Sequence, residues 1–159
     1  MTSDLRDLYQ DVILDHGKKP RNSRVIEGAT FTQPAFNPLC GDKGTLYLSM
    51  DPGGDKIVDA AYVGAGCSIS TASASIMTDF VKGKTREEAL ATFGLFHDMI
   101  TAPPDRASHR PVQDLGKLSV FSGVAEFPAR VKCATLAWHA LKAALTEAPG
   151  PAPTPVSTE

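Results

Sequence analysis

Cysteine is scarce in this chain: three in 159 residues cannot all pair with one another. That removes a disulfide-stapled fold, and in a reducing compartment the three would stay thiols. Positive charge is not in excess either, with 16 lysines and arginines against 18 aspartates and glutamates and a formal charge of −2. Without a polybasic run there is no electrostatic footprint for a phosphate backbone, so nucleic acid is not an expected partner. Long apolar runs are missing as well. The uncharged stretch between Asp59 and Asp79 has the length of a bilayer span but is filled with Gly, Ser, Thr and Ala, so no membrane segment is expected. The first eleven residues carry Asp4, Asp7 and Asp11 and lack the basic and apolar regions of a secretory signal. A cytoplasmic protein is the expectation. There is no glycine-rich phosphate loop and no internal repeat.

What is present suits one globular domain: 42% of residues are hydrophobic and 21% charged, enough to bury a sizeable core at this length. Ser3 or Asp4 can cap a first helix through Leu5, Leu8, Val12 and Ile13, closed by Gly17. Thr45 to Met50 and Lys56 to Val63 alternate apolar and polar residues around Asp51-Pro52-Gly53-Gly54-Asp55, which predicts an antiparallel hairpin. Val25 to Phe31 is a candidate third strand. Ile69, Ala72, Ile76 and Phe80 predict a helix beginning at Ser68 and stopping near Gly83. Thr85 and Glu88 form a capping-box pair opening another helix through Leu90 and Phe93. The proline-bearing segment from Thr101 to Val112 reads as a surface loop. Leu115, Leu118, Phe121, Val124 and Phe127 suggest a compact segment broken by Gly123 and Pro128. A last helix carries Leu136, Ala140 and Ala144, with Cys133 in its first turn. The fold class expected is α+β, a three-stranded antiparallel sheet packed by helices in a single domain over residues 1–147. Residues 148–159 form a proline-rich tail without core-forming residues, expected to be disordered.

Isolated free cysteines are most often small buried apolar residues, but the neighbours here point elsewhere. Cys67 and Cys133 fall at predicted helix N-termini, where free N–H groups and the helix dipole favour the thiolate that binds metal. Cys40 lies in Asn37-Pro38-Leu39-Cys40-Gly41-Asp42, a loop in which Gly41 lets Cys40 and Asp42 face one ion. Three thiolates and a carboxylate supply the four donors of a closed tetrahedral zinc site. Such a site is anionic, and Arg130 and Lys132 stand beside Cys133 to offset it, although both suit ordinary solvated side chains equally well. The cysteines are 27 and 66 residues apart, which matches no local zinc-finger pattern.

Three motifs in order, Asn37-Pro38-Leu39-Cys40-Gly41-Asp42, Gly66-Cys67-Ser68-Ile69-Ser70 and Ala129-Arg130-Val131-Lys132-Cys133-Ala134, resemble the SufU proteins and their wider NifU/IscU relatives. Leu8-Tyr9-Gln10-Asp11-Val12-Ile13-Leu14-Asp15-His16 with Pro20-Arg21-Asn22 is similar to that family's opening helix and exit loop. The resemblance runs from about residue 5 to 145. Scaffold-type relatives usually carry a histidine immediately before the third cysteine. Lys132 stands there in this chain, as in SufU proteins, and the long interval from Cys67 to Cys133 also resembles the SufU type.

The resemblance implies a zinc protein of iron-sulfur cluster assembly, with Cys40, Asp42, Cys67 and Cys133 on the metal. It also implies that Cys40 accepts persulfide sulfur from a pyridoxal-phosphate cysteine desulfurase of the SufS type, as a sulfurtransferase would. A histidine of the desulfurase is expected to replace Cys40 on zinc, and downstream iron-sulfur assembly machinery takes the sulfur onward. Tyr9, His16 and Arg21 are the residues expected to meet that partner, although an imidazolium at the end of the first helix is also a simple C-terminal stabiliser. The alternative is a scaffold that assembles a transient iron-sulfur cluster on the same ligands. His16, His97, His109 and His139 lie in no nucleophile motif, which disfavours a cysteine hydrolase. The hydroxyls of Ser68, Ser70, Thr71, Ser73 and Ser75 suit close helix packing better than phosphate binding, and Trp138 and Phe127 suit a core.

Overall fold

The computed structural model describes residues 11–37, 41–101, 118, 121, 124, 128–146, 150–151 and 156–157. Its elements are α1 (residues 11–18), β1 (Phe31–Asn37), β2 (Asp42–Met50), β3 (Ile57–Ala65), α2 (Ser68–Val81), α3 (Arg86–Thr101), α4 (Pro128–Thr146), β4 (Gly150–Pro151) and β5 (Val156–Ser157).

The three long strands form an antiparallel meander in the order β3-β2-β1. The hairpin between β2 and β3 is made by Asp51. Its Oδ1 accepts from the backbone N–H of Asp55 at 2.9 Å and of Lys56 at 3.2 Å, while Gly54 adopts a φ of 73°, open to glycine at no steric cost. Those N–H donors hold the Asp51 carboxyl below its usual range.

One face of the meander is the core face. Phe31 and Ala35 of β1, Leu46 and Leu48 of β2, and Ala60 and Tyr62 of β3 are buried there, as the two-residue period of a strand requires. Against it lie α2 and α4, with Trp138, Phe96 and Phe121 among the largest fully buried side chains. The rings of Phe96 and Trp138 stack at 4.7 Å between centroids. Trp138 is thus a core residue, as expected, whereas Phe127 lies outside the described residues.

Small residues let α2 approach its neighbours closely. Ser70, Ala72, Ser73, Ala74 and Ser75 are all buried. The hydroxyls of Ser73 and Ser75 bond to protein groups on other elements, so the serine-rich run is a packing surface. On one flank, His16 Nδ1 meets Ser75 Oγ at 2.7 Å and the Arg21 backbone N–H donates to the same oxygen at 2.8 Å. The following loop is held by Asn22, at a φ of 56°. Its side chain donates to Thr78 and Asp79 and accepts from Lys82, and its carbonyl accepts from the Tyr62 N–H.

The capping box forms as expected: Glu88 N–H donates to Thr85 Oγ1, and Thr85 N–H donates to Glu88 Oε1, both at 3.1 Å. Leu118, Phe121 and Val124 are buried turns of 3-10 helix, and Leu136, Ala140 and Ala144 point inward from α4. No helix among the described residues is long and apolar enough to cross a membrane.

Three expectations need correction. The third strand is not Val25 to Phe31 but Phe31–Asn37. Val25 is 58% exposed, and the inward positions of the true strand include the polar Gln33 and Asn37, which blur its alternation. Cys133 is not in the first turn of its helix. Proline fits the first helical position, where its missing N–H costs nothing, so α4 starts at Pro128 and Cys133 is its sixth residue. Finally, the tail is not wholly without structure. Gly150 and Pro151 pair in parallel with Phe31 and Thr32, and Val156 and Ser157 with Ala35 and Phe36. Pro34 sits between these pairings, at the rim of the three long strands where proline is tolerated. The expected helix start at Ser3 or Asp4, Tyr9, Cys40 and the expected loop beyond Thr101 lie outside the described residues.

Candidate metal centre

The meander, α2 and α4 deliver one donor each to the same end of the sheet. Asp42 is the first residue of β2, in register with Asn37. Cys67 is the N-cap of α2, just past the end of β3. Cys133 reaches in from α4. The ligand atoms of Asp42, Cys67 and Cys133 all lie within 4.8 Å of one another, a spacing that one ion can span. Asp42 and Cys133 are each 1% exposed, and Cys67 is half-buried.

The carboxylate of Asp42 is aimed by the backbone. Cys67 N–H donates to Oδ1 at 3.0 Å, and Gly66 makes that approach possible, because a Cβ there would run into the Asp42 carboxylate. The other oxygen, Oδ2, is buried and has no hydrogen-bond partner among the described residues. A bare buried carboxylate oxygen costs several kcal/mol by order of magnitude, and a cation removes that cost.

Each sulfur has its own setting. Cys67 Sγ accepts from the Ser70 N–H at 3.4 Å, as the N-cap side chain of α2. Cys133 lies too deep in α4 for free N–H groups. Its Sγ stands 3.7 Å from the Ala129 carbonyl oxygen and 3.9 Å from the Asn37 amide nitrogen, and that amide is a donor suited to a thiolate.

Near Asp42 stands Tyr62, whose ring lies over the facing pair Gly44 and Gly64. A Cβ at Gly44 would press on that ring, and one at Gly64 would run first into the Lys43 carbonyl oxygen. Burial, followed by the nearby Asp42 charge, pushes the phenol well above its ordinary range, so Tyr62 stays neutral. The sequence assigns no role to Tyr62 and includes Gly66 only as part of a motif; the glycines at positions 44 and 66 are the one signal that a side chain sits close to the backbone there.

The two sulfurs and one oxygen fit a thiophilic dication such as zinc. They leave a fourth position, and Cys40 precedes Asp42 by two residues in sequence. Among the described residues neither Arg130 nor Lys132 enters an ion pair; Arg130 is exposed and Lys132 half-buried. Of the residues expected to meet a partner, Arg21 is at the surface, where it bonds Asp15 at 2.6 Å. His16 is 3% exposed and committed to Ser75. A docking role for its side chain is therefore not available in this conformation, and its place is to anchor α1 on α2.

Comparison with known proteins follows the same lines. Residues 8–134 match the family described as the NifU-like N terminal domain. The chain is 42% identical to the zinc-dependent sulfurtransferase SufU of Bacillus subtilis over 148 residues, 93% of this chain and 96% of that protein. It is 45% identical to the iron-sulfur cluster assembly scaffold protein IscU of Streptococcus pyogenes over 143 residues, 90% of this chain and 86% of that one. A crystal structure from Fervidobacterium islandicum, described as an iron-sulfur cluster assembly scaffold protein for the SUF system, superposes with a TM-score of 0.77 at 36% identity. It covers 85% of this chain and 94% of its own.

Proposed function

Since the chain belongs to the NifU-like N-terminal domain family of iron-sulfur cluster assembly, we propose that it is the sulfur-transfer member of the pathway, holding zinc on Cys40, Asp42, Cys67 and Cys133. The observation that carries the reading is the unmet Oδ2 of Asp42, buried beside two thiols. A ligand set with a buried carboxylate aimed by Gly66 and Cys67 suits a resident ion. Lys132 before Cys133, where scaffold relatives carry histidine, supports the same side.

Bound zinc would keep the cysteine sulfurs as thiolates at neutral pH. The transfer itself falls to Cys40. Its thiolate attacks the outer sulfur of a persulfide on a cysteine desulfurase; the donor S–S bond breaks, the donor cysteine leaves as thiolate, and Cys40 carries the persulfide. Cys67, capping a helix, and Cys133, buried within one, are anchored and keep the metal. Arg21 and Tyr9 belong to the surface that meets the desulfurase, and Arg130 and Lys132 offset the negative site. The setting is the cytoplasm, where thiols remain reduced.

A second reading, a scaffold that builds a transient cluster on the same ligands, is favoured by the comparable identity to the Streptococcus protein. Native mass spectrometry of zinc-loaded protein after incubation with a cysteine desulfurase and cysteine separates the two. Sulfur added at Cys40 with zinc retained is expected. No added sulfur, but a cluster once iron replaces zinc, would establish the scaffold instead. Cys40→Ala accepting sulfur at the normal rate would also sink the transfer reading.

A further inference from the structure

The two anchored thiols sit on different helices, and what sets the distance between them is a question apart from what binds there. Apolar packing between α2 and α4 is non-directional and tolerates small slides and rotations. A hydroxyl between them does not. Ser73, fully buried and six residues beyond Cys67, donates to the carbonyl of Ala134 at 2.6 Å. The Ser73 hydroxyl oxygen in turn accepts from the indole Nε1–H of Trp138 at 3.2 Å. Ala134 follows Cys133 directly, and Trp138 lies one turn further along the same face of α4. Ser73 therefore grips α4 at two points one turn apart, which fixes the rotation of the helix as well as its distance from α2.

We infer that Ser73, with Trp138 as its second contact, is a positioning residue that sets the separation of Cys67 and Cys133 and thereby the affinity and geometry of the metal centre. The inference rests on the metal reading above. It follows from the tolerance of such sites: metal–sulfur distances are fixed to about 0.2 Å, and ligands must be held to within about 0.5 Å by surroundings that are themselves locked. The bland alternative is that Ser73 only satisfies a buried indole. That role would cost stability if lost but would leave the metal's coordination unchanged.

The test uses the full chain, zinc titrated against a competing chelator, and cobalt(II) as a spectroscopic stand-in whose ligand-field and sulfur charge-transfer bands report coordination. Ser73→Ala is expected to weaken zinc binding about tenfold, the usual effect of losing a partner outside the ligand sphere, and to shift the cobalt bands. Trp138→Phe keeps an aromatic ring and the Ser73–Ala134 bond but removes the indole donor; it is expected to move both readouts in the same direction, by less. Should Ser73→Ala fail to fold, Trp138→Phe decides alone. Variants that bind zinc with unchanged affinity and give unchanged cobalt spectra, whatever stability they lose, overturn the inference. A wild-type chain that binds neither ion overturns the metal reading itself, a separate and recognisable failure.

Discussion

The backbone N–H of Cys67 donates to Oδ1 of Asp42 at 3.0 Å, joining the cap of α2 to the first residue of β2. One oxygen of the carboxylate is thereby held in place while the other is left bare. The same contact joins two candidate ligands, so the site is partly assembled before any ion arrives.

Replacement of Asp42 should therefore act on the metal more than on the fold. In Asp42→Ala the Cys67 N–H loses its acceptor, a cost of about 1–3 kcal/mol, but an unmet buried oxygen is removed at the same time, so net stability changes little. Zinc affinity is expected to fall by more than the roughly tenfold to hundredfold that an outer-sphere partner costs. Competitive zinc titration checks this, and unchanged affinity would remove Asp42 from the ligand set.

Glycine substitutions should split by position. Gly66→Ala places a Cβ against the Asp42 carboxylate, and at least a tenfold or so loss of zinc affinity is expected. Gly94→Ala, in α3 with open space around the added carbon, should raise stability by up to about 1 kcal/mol and leave zinc binding alone. Equal zinc affinities in the two variants would contradict the crowding argument.

Loss of the capping box should be purely local. Thr85→Ala removes the acceptor for the Glu88 N–H and is expected to lower stability by about 1 kcal/mol. Urea unfolding reads the loss, and zinc affinity serves as the control that should not move.

One histidine gives the fold a pH dependence. Burial, then the charges of His97 and Lys142, lower the pKa of His139 from its ordinary 6.5. The unfolded chain therefore takes up a proton on falling through about 6.5 while the folded chain does not, so this group's contribution is full above that pH. It is lost progressively as pH drops toward the folded value. Unfolding midpoints above and below pH 6.5 should show a smaller acid loss in His139→Gln than in wild type; identical slopes would exclude His139 as the source.

What could be read from sequence divides by the range of the interactions involved. The Asp51 turn and the Thr85–Glu88 box were legible because each closes within five residues, where residue type nearly dictates geometry. Cys67 at the start of α2 was legible from the helical period that begins beside it. β1 was not, because Gln33 and Asn37 occupy inward positions and hide the alternation. Pro128 reads in sequence as a breaker and serves in the fold as a helix starter, which moved Cys133 deeper than expected. The buried place of His16 and the pairing of Ser73 with Trp138 depend on contacts across 59 and 65 residues, beyond any local pattern. The metal ligands are legible from donor type and local setting, and as a set from the motifs that resemble the family, since their spacing alone matches no known local arrangement.

The pairing of the tail with β1 bears on how copies of this chain behave in company. An open strand edge is a template on which a second molecule can add its own strand, and the outer side of β1 is such an edge. Gly150, Pro151, Val156 and Ser157 occupy it at two places, either side of Pro34. With β4, β5 and that proline in place, little uninterrupted backbone is left for a stranger to pair with. The proline-rich extension thus leaves less open backbone along that edge than β1 alone would offer to another chain.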